Sequence, residues 1–264
     1  MKRQTIAYST IVIVGFLISY FGRGILSGFV ELQFSTDYSR IAYSYLWWFI
    51  PMVLITGLLY GFRDFSENMG VLRGFLKGLL FSGVTVLPMF LGSAVMGEFD
   101  CGIRVFDLIN KTVVAGFMEE ALFRGFLFGL LFRKLNWGFL PAALLGAFVF
   151  GFGHIYQGHS FMESLGVFFI TALGAVWFAW LYIEWDNNLW VPIFLHVLMN
   201  LSWALFDVSD TALGGIYANL FRVISIALTI ILTIKINGAM GLKINRRNLM
   251  VNAARVDNPV PSNT

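Results

Sequence analysis

Long apolar stretches run through this chain, and short polar clusters punctuate them. A helix needs roughly 20 mainly apolar residues to cross the hydrocarbon of a bilayer. Eight stretches reach that length, at about 6–28, 43–62, 71–96, 105–132, 137–157, 161–184, 189–207 and 212–235. They predict an all-α fold, a polytopic membrane protein of about eight transmembrane helices. The bundle spans 1–236. The stretch 237–264 is polar, ends in Pro, Ser and Asn, and reads as a disordered cytoplasmic tail. Only Glu184-Trp185-Asp186-Asn187-Asn188 separates the sixth span from the seventh.

Composition agrees with the pattern. The chain is 58% hydrophobic and 12% charged, where soluble domains carry ~25% charged residues. Net charge is +3 and no basic-aromatic stripe occurs, so nucleic acid is not an expected partner. Cys101 is the sole cysteine, which excludes intrachain disulfides and thiolate metal clusters. The opening MKRQTIAYSTIVIVGFLISYF resembles a signal peptide, but no small-x-small cleavage site follows. It reads as a retained first span.

Charge placement sets the topology. Inner segments would hold Lys2 and Arg3; Arg63, Arg73 and Lys77; Arg133 and Lys134; then Lys235, Lys243, Arg246, Arg247 and Arg255. That bias puts both termini in the cytoplasm and the protein in a plasma membrane. The turn Glu184–Asp186 would also be inside, yet it holds no basic residue. Tyr43, Tyr45, Trp47, Trp48, Trp137, Trp180, Tyr182, Trp185 and Trp190 read as interfacial anchors. Glycines four apart (24/28, 57/61, 74/78 and 125/129) read as helix-packing sites.

The fourth span breaks the apolar rule with Glu119, Glu120 and Arg124. Each ionised side chain at bilayer depth costs about 2.5–3.5 kcal/mol on insertion scales. Neighbours on a helix point ~100° apart, so the two glutamates cannot face one point. Glu120 and Arg124 form an i, i+4 pair with the acid first. Arg124 should neutralise Glu120 and leave Glu119 free as a general base. Two histidines also fall within spans: His154, one turn after Phe150, and His196, one turn before Asn200. His159 belongs to an outer connection and is set aside. Glu119 and a histidine can deprotonate water, while a second histidine and an Asn amide can donate to an oxyanion. Glu119, His154 and His196 equally suit a divalent metal such as zinc. No His-Glu-x-x-His helix is present. The span edges put Glu119 near mid-membrane, His196 nearer the inner face and His154 nearer the outer. Pro141, Pro192 and Gly151-Phe152-Gly153 offer places where helices break and bring them together.

Glu119-Glu120-x-x-x-Arg124, Phe150-x-x-x-His154 and His196-x-x-x-Asn200 together resemble the CPBP intramembrane protease family. That family includes CAAX prenyl endopeptidases and bacterial abortive-infection and bacteriocin-immunity relatives. The likeness covers about 113–203, and Pro192 with the preceding Asn-Asn-Leu-Trp shares in it. The resemblance implies a bacterial membrane endopeptidase whose cavity opens to the cytosol. It implies that Glu119 and His154 activate water and that His196 and Asn200 stabilise the oxyanion. Glu120, Arg124 and Phe150 would support the site. The implied partners are the lipid bilayer and a peptide or membrane-associated protein substrate. A metal requirement, the substrate and the oligomeric state stay open. Two other readings use the same residues: a non-catalytic immunity or regulatory scaffold, and a transporter with Glu119 as a proton relay. Internal symmetry, which transporters often carry, is missing here.

Overall fold

The computed structural model describes residues 3–30, 32–238 and 241–252. All elements named among them are helical, and one isolated bridge joins Trp137 to Val251. Helix α1 (Arg3–Ser27) pairs with α2 (Asp37–Tyr60). A capping box starts α2: the Thr36 hydroxyl accepts the Ser39 N–H. The one-turn helix α3 (Phe65–Met69) precedes α4 (Phe75–Met96). A continuous helical rod, α5, then runs over 105–134. Its α-helical segments alternate with π-helical Asn110–Val114 and Ala121–Phe128. Helices α6 (Phe139–Phe152), α7 (Phe161–Glu184), α8 (Trp190–Leu205) and α9 (Ile216–Asn237) complete the bundle.

Length and hydropathy alone do not reproduce the expected count of eight spans. Among the described residues six helices are long and apolar enough to cross a membrane: α1, α2, α4, α6 with its 3-10 extension to Gln157, α7 and α9. The other two expected spans are helical but of another kind. The α8 helix is short, and α5 carries the charges. Residues 121–132 of α5 are all buried, so protein surrounds this part of the rod. A helix wrapped by others need not be apolar enough to enter lipid alone. The crossing helices turn large apolar side chains outward, among them Leu58, Val95 and Leu173.

The core is built around the rod. Leu122, Phe126, Leu127, Leu130 and Leu131 are fully buried and meet α1, α6 and α7. A second cluster joins α4, α7 and α8 through Phe81, Met89, Leu181 and Leu195. Lipid tails are as apolar as leucine, so close packing and interhelical hydrogen bonds hold these contacts. The Ser82 hydroxyl donates to the Val191 carbonyl, and the Met89 N–H beside Pro88 donates to the Ser225 hydroxyl. Of the glycine pairs, Gly78 admits the backbone of Trp190 and Gly125 admits Met69 and Leu189. Gly24 has no neighbour and Gly28 meets only its own helix, so that pair is not a packing site.

The stretch expected to be a disordered tail is folded where it is described. Residues 241–252 run back across the ends of α5, α6 and α7. The buried Glu184 carboxylate accepts the backbone N–H groups of Lys243 and Ile244, each at 3.0 Å. The Lys243 ammonium donates to the Glu184 carbonyl and to Asp186. The acidic turn without a basic residue thus receives one from far along the chain. The carbonyls of Asn248 and Leu249 accept the N–H groups of Phe139 and Leu140, capping α6. The Asn252 amide donates to the Phe132 carbonyl near the end of α5. Lys2, Arg255 and the rest of 253–264 lie outside the described residues.

Glu184→Ala removes two charge-assisted hydrogen bonds, each worth ~1.5–3 kcal/mol. The expected result is a lower unfolding midpoint in detergent and faster proteolysis between Lys243 and Asn252. An unchanged midpoint and digestion pattern would mean that this strap contributes no stability.

Candidate active site

Four charged or ionisable side chains meet where α5 crosses α8. Arg124 Nη1 lies 3.1 Å from Glu120 Oε1, with both side chains buried. His196 Nδ1 lies 2.8 Å from that same oxygen. Its Nε2 lies 3.8 Å from Glu119 Oε2. Glu120 therefore sits between two cations or donors, and His196 bridges the two glutamates. The Arg124 pairing agrees with helix geometry. The histidine pairing was not foreseen, because it spans distant parts of the chain. Glu119 keeps 19% of its side chain exposed, whereas Glu120 keeps none. Three buried atoms of the cluster lack a hydrogen-bond partner: Glu119 Oε2, Glu120 Oε2 and Arg124 Nη1. The Arg124–Glu120 contact is therefore one of charge rather than of an aligned hydrogen bond.

Aromatic rings wall the cluster. The guanidinium carbon of Arg124 stands 4.7 Å from the Phe150 ring centre and 5.4 Å from that of Phe178. Arginine stacks favourably on such faces. Phe150 also lies 4.4 Å from the His154 ring. Helix α6 stops at Phe152, and the His154 N–H turns to the Gly151 carbonyl. That leaves the Phe150 carbonyl to accept His154 Nδ1 at 2.7 Å. A proton on Nδ1 leaves a lone pair on Nε2. Asn200 points elsewhere, its amide donating to the Lys111 carbonyl at 2.9 Å.

The expected distance between the candidates closes for two reasons. Helix α6 ends at Phe152, and the His154 ring meets Phe150, whose own ring lies 6.5 Å from that of His196. Helix α8 begins deep, where Leu189 rests on Gly125 and its N–H bonds the Gly70 carbonyl. Gly116 then lets α8 close in: a β-carbon there would come 2.8 Å from Val197 Cγ2 and 3.1 Å from its nitrogen. The π-helical turn follows Glu120 directly, a feature common at functional sites.

Residues 102–202 match the family described as type II CAAX prenyl endopeptidase Rce1-like. That stretch contains every residue of the cluster. That stretch is similar to the CPBP family. It is similar to "Putative membrane peptidase YdiL" of Bacillus subtilis (strain 168), with 36% identity over 93 residues. The match covers 35% of this chain and 34% of that protein, so the chain spans about a third of the relative's length. No solved structure matches the chain.

The chain also brings residues to the site from outside the matched stretch. Tyr20 of α1 and Tyr45 of α2 lie within electrostatic reach of Glu119. A β-carbon at Gly153 would collide with the Tyr20 hydroxyl, so the glycine lets that hydroxyl reach the turn before His154. Tyr20 also packs edge-on against Phe123, 5.5 Å away. Tyr45 carries the electrostatic link to Glu119 as well as the interfacial character assigned to it. A tyrosine well inside a span was the available signal for Tyr20.

Among the described residues no three His, Cys, Asp or Glu side chains are gathered as a metal site requires. His196 Nδ1 is held by Glu120, and His154 Nδ1 by the Phe150 carbonyl. Each engaged Nδ1 leaves Nε2 as the nitrogen that could face a metal, but among the described residues Glu119, His154 and His196 are not gathered around one point.

Breaking a buried ion pair from one side costs ~3–5 kcal/mol. Arg124→Met should destabilise the protein by about that amount, and Glu120→Gln on top of it should recover part of the loss. A double-mutant cycle by unfolding in detergent reads this directly. Additive losses would mean that the two side chains do not act as a pair.

Proposed function

We propose that this protein is an intramembrane endopeptidase that hydrolyses a peptide bond in a membrane-associated substrate. The observation that supports the reading is the division of labour between the glutamates. Glu120 is occupied by Arg124 and His196, while Glu119 is part-exposed and its Oε2 has no hydrogen-bond partner. Its separation from His196 Nε2, 3.8 Å, exceeds a direct hydrogen bond. Two groups so placed can share one water oxygen.

The reaction follows from these positions. Glu119 accepts a proton from water as its oxygen bonds to the substrate carbonyl carbon. The carbonyl π pair moves onto oxygen. His154, with its lone pair on Nε2, is the second acceptor available to the attacking water. With a proton on each nitrogen, His196 donates to Glu120 through Nδ1 and offers Nε2–H to the oxyanion. Asn200 donates its amide to the Lys111 carbonyl and would turn from it to donate alongside. The oxyanion pair then returns, the C–N bond breaks, and the leaving amine takes the proton held by Glu119. Arg124 and Phe150 fix Glu120 and His154 and touch no reacting atom.

A general base contributes ~10²–10⁴ in rate. Glu119→Gln should therefore lose cleavage by that order while its unfolding midpoint stays near wild type. The readout is the accumulation of uncut peptides in variant membranes relative to wild type, by quantitative proteomics. Identical peptide profiles, together with a retained cellular phenotype, would favour the non-catalytic scaffold instead.

A further inference from the structure

We infer that the Glu119 cluster is entered from the membrane face opposite the 241–252 strap, which the charge distribution makes the extracytoplasmic face. Its substrate would then be a peptide segment presented on that side. This takes from the peptidase reading only that the cluster receives a peptide.

The two ends of the bundle are well defined. One gathers the start of α1, the end of α2, the end of α5 and the strap. There Trp137 donates to Ser9, Lys134 stands over the Tyr60 ring, and Lys243 reaches the Glu184 turn. The other gathers the end of α1, the start of α2 and the loops at 97–104, 153–160 and 206–215. There Arg104 pairs with Asp37, the Glu98 N–H meets the Phe206 carbonyl, and Gln157 accepts the Ala212 N–H. Arg63, Arg73, Arg133, Lys134, Lys243 and Arg246 belong to the strap end. Basic residues of that density mark the cytoplasmic side.

The cluster lies toward the other end. At ~1.5 Å per residue, Tyr20, Tyr45, Glu119 and His154 stand about 20–25 Å from the strap-end termini of their helices. On the same scale Tyr20 and Tyr45 are only about 10–12 Å from Ser27 and Asp37. Between the cluster and the strap the protein is solid. Every residue of α5 from 121 to 132 is buried, and Ala142, Ala143, Gly146 and Ala147 of α6 are buried too. The cavity beneath Arg124 measures about 10 Å³, room for about one water. On the far side Val113 and Tyr156 are exposed, and His196 and Glu119 keep 12% and 19% of their side chains accessible. A peptide can approach Glu119 from that side and not through the buried stretch. The cytosolic opening implied by the family resemblance does not fit this packing.

The sole cysteine, Cys101, is exposed in the 97–104 loop and reports the face directly. In intact cells a membrane-impermeant maleimide should label it. In a Cys101→Ser background, Tyr156→Cys should label in intact cells and Arg246→Cys only after permeabilisation. Asn200→Cys reads the entrance itself and should label in intact cells but not in vesicles with the cytoplasmic face outward. The reverse sidedness overturns the inference. So does an Asn200→Cys variant that labels from the cytoplasmic face or from neither. If Asn200→Cys does not fold, Val113→Cys is scored by the same rule. Labelling needs no catalysis, so a failed entrance and a failed peptidase assignment give different results.

Discussion

A carboxylate held away from water needs a partner of opposite charge close by, and the position of Glu120 follows from that need. Arg124 supplies one from the same helix and His196 another from α8. The first pairing is local and forms as soon as α5 is helical. The second fixes how α8 must lie against α5, at a separation that Gly116 permits. Glu119 takes its place from this arrangement. It stands beside a histidine whose other nitrogen is engaged, yet it has no strong partner itself. One residue absorbs the electrostatic compensation and its neighbour is spared it.

The aromatic rings extend the same constraint. Arg124 is buried from bulk water, and Phe150 and Phe178 face its guanidinium. Phe150 then links the cation to His154, both by ring contact and through the carbonyl freed where α6 ends. The break in α6 frees the carbonyl that holds His154 Nδ1. Helix ends leave carbonyls unpaired, and here one of them orients a candidate base.

Much of this was legible in the sequence, in an uneven way. The i, i+4 spacing of Glu120 and Arg124 predicts their contact from helical geometry alone. The apolar runs predict an all-α membrane bundle. They miss that α5 and α8 are interior elements, since hydropathy measures fitness for lipid and these helices are surrounded by protein. The meeting of His196 with Glu120 depends on a loop that dips to Gly125, and no local pattern encodes that depth. Tyr45 was missed because tyrosine near a span end has an ordinary interfacial explanation, and Tyr20 because no local pattern ties a lone tyrosine in the first span to Glu119. The strap was misread because polar composition suggests disorder, while its hydrogen bonds go to a buried acid far upstream.

That strap gives the chain an order of assembly. The donors that open α6 are synthesised long before the carbonyls of Asn248 and Leu249 that accept them, and Glu184 is made well ahead of Lys243. As the polypeptide leaves the ribosome, the bundle can insert with those groups still facing water. They close only after α9 has crossed. Truncation upstream of Lys243 would leave every membrane-crossing helix in place and still yield an unfinished molecule.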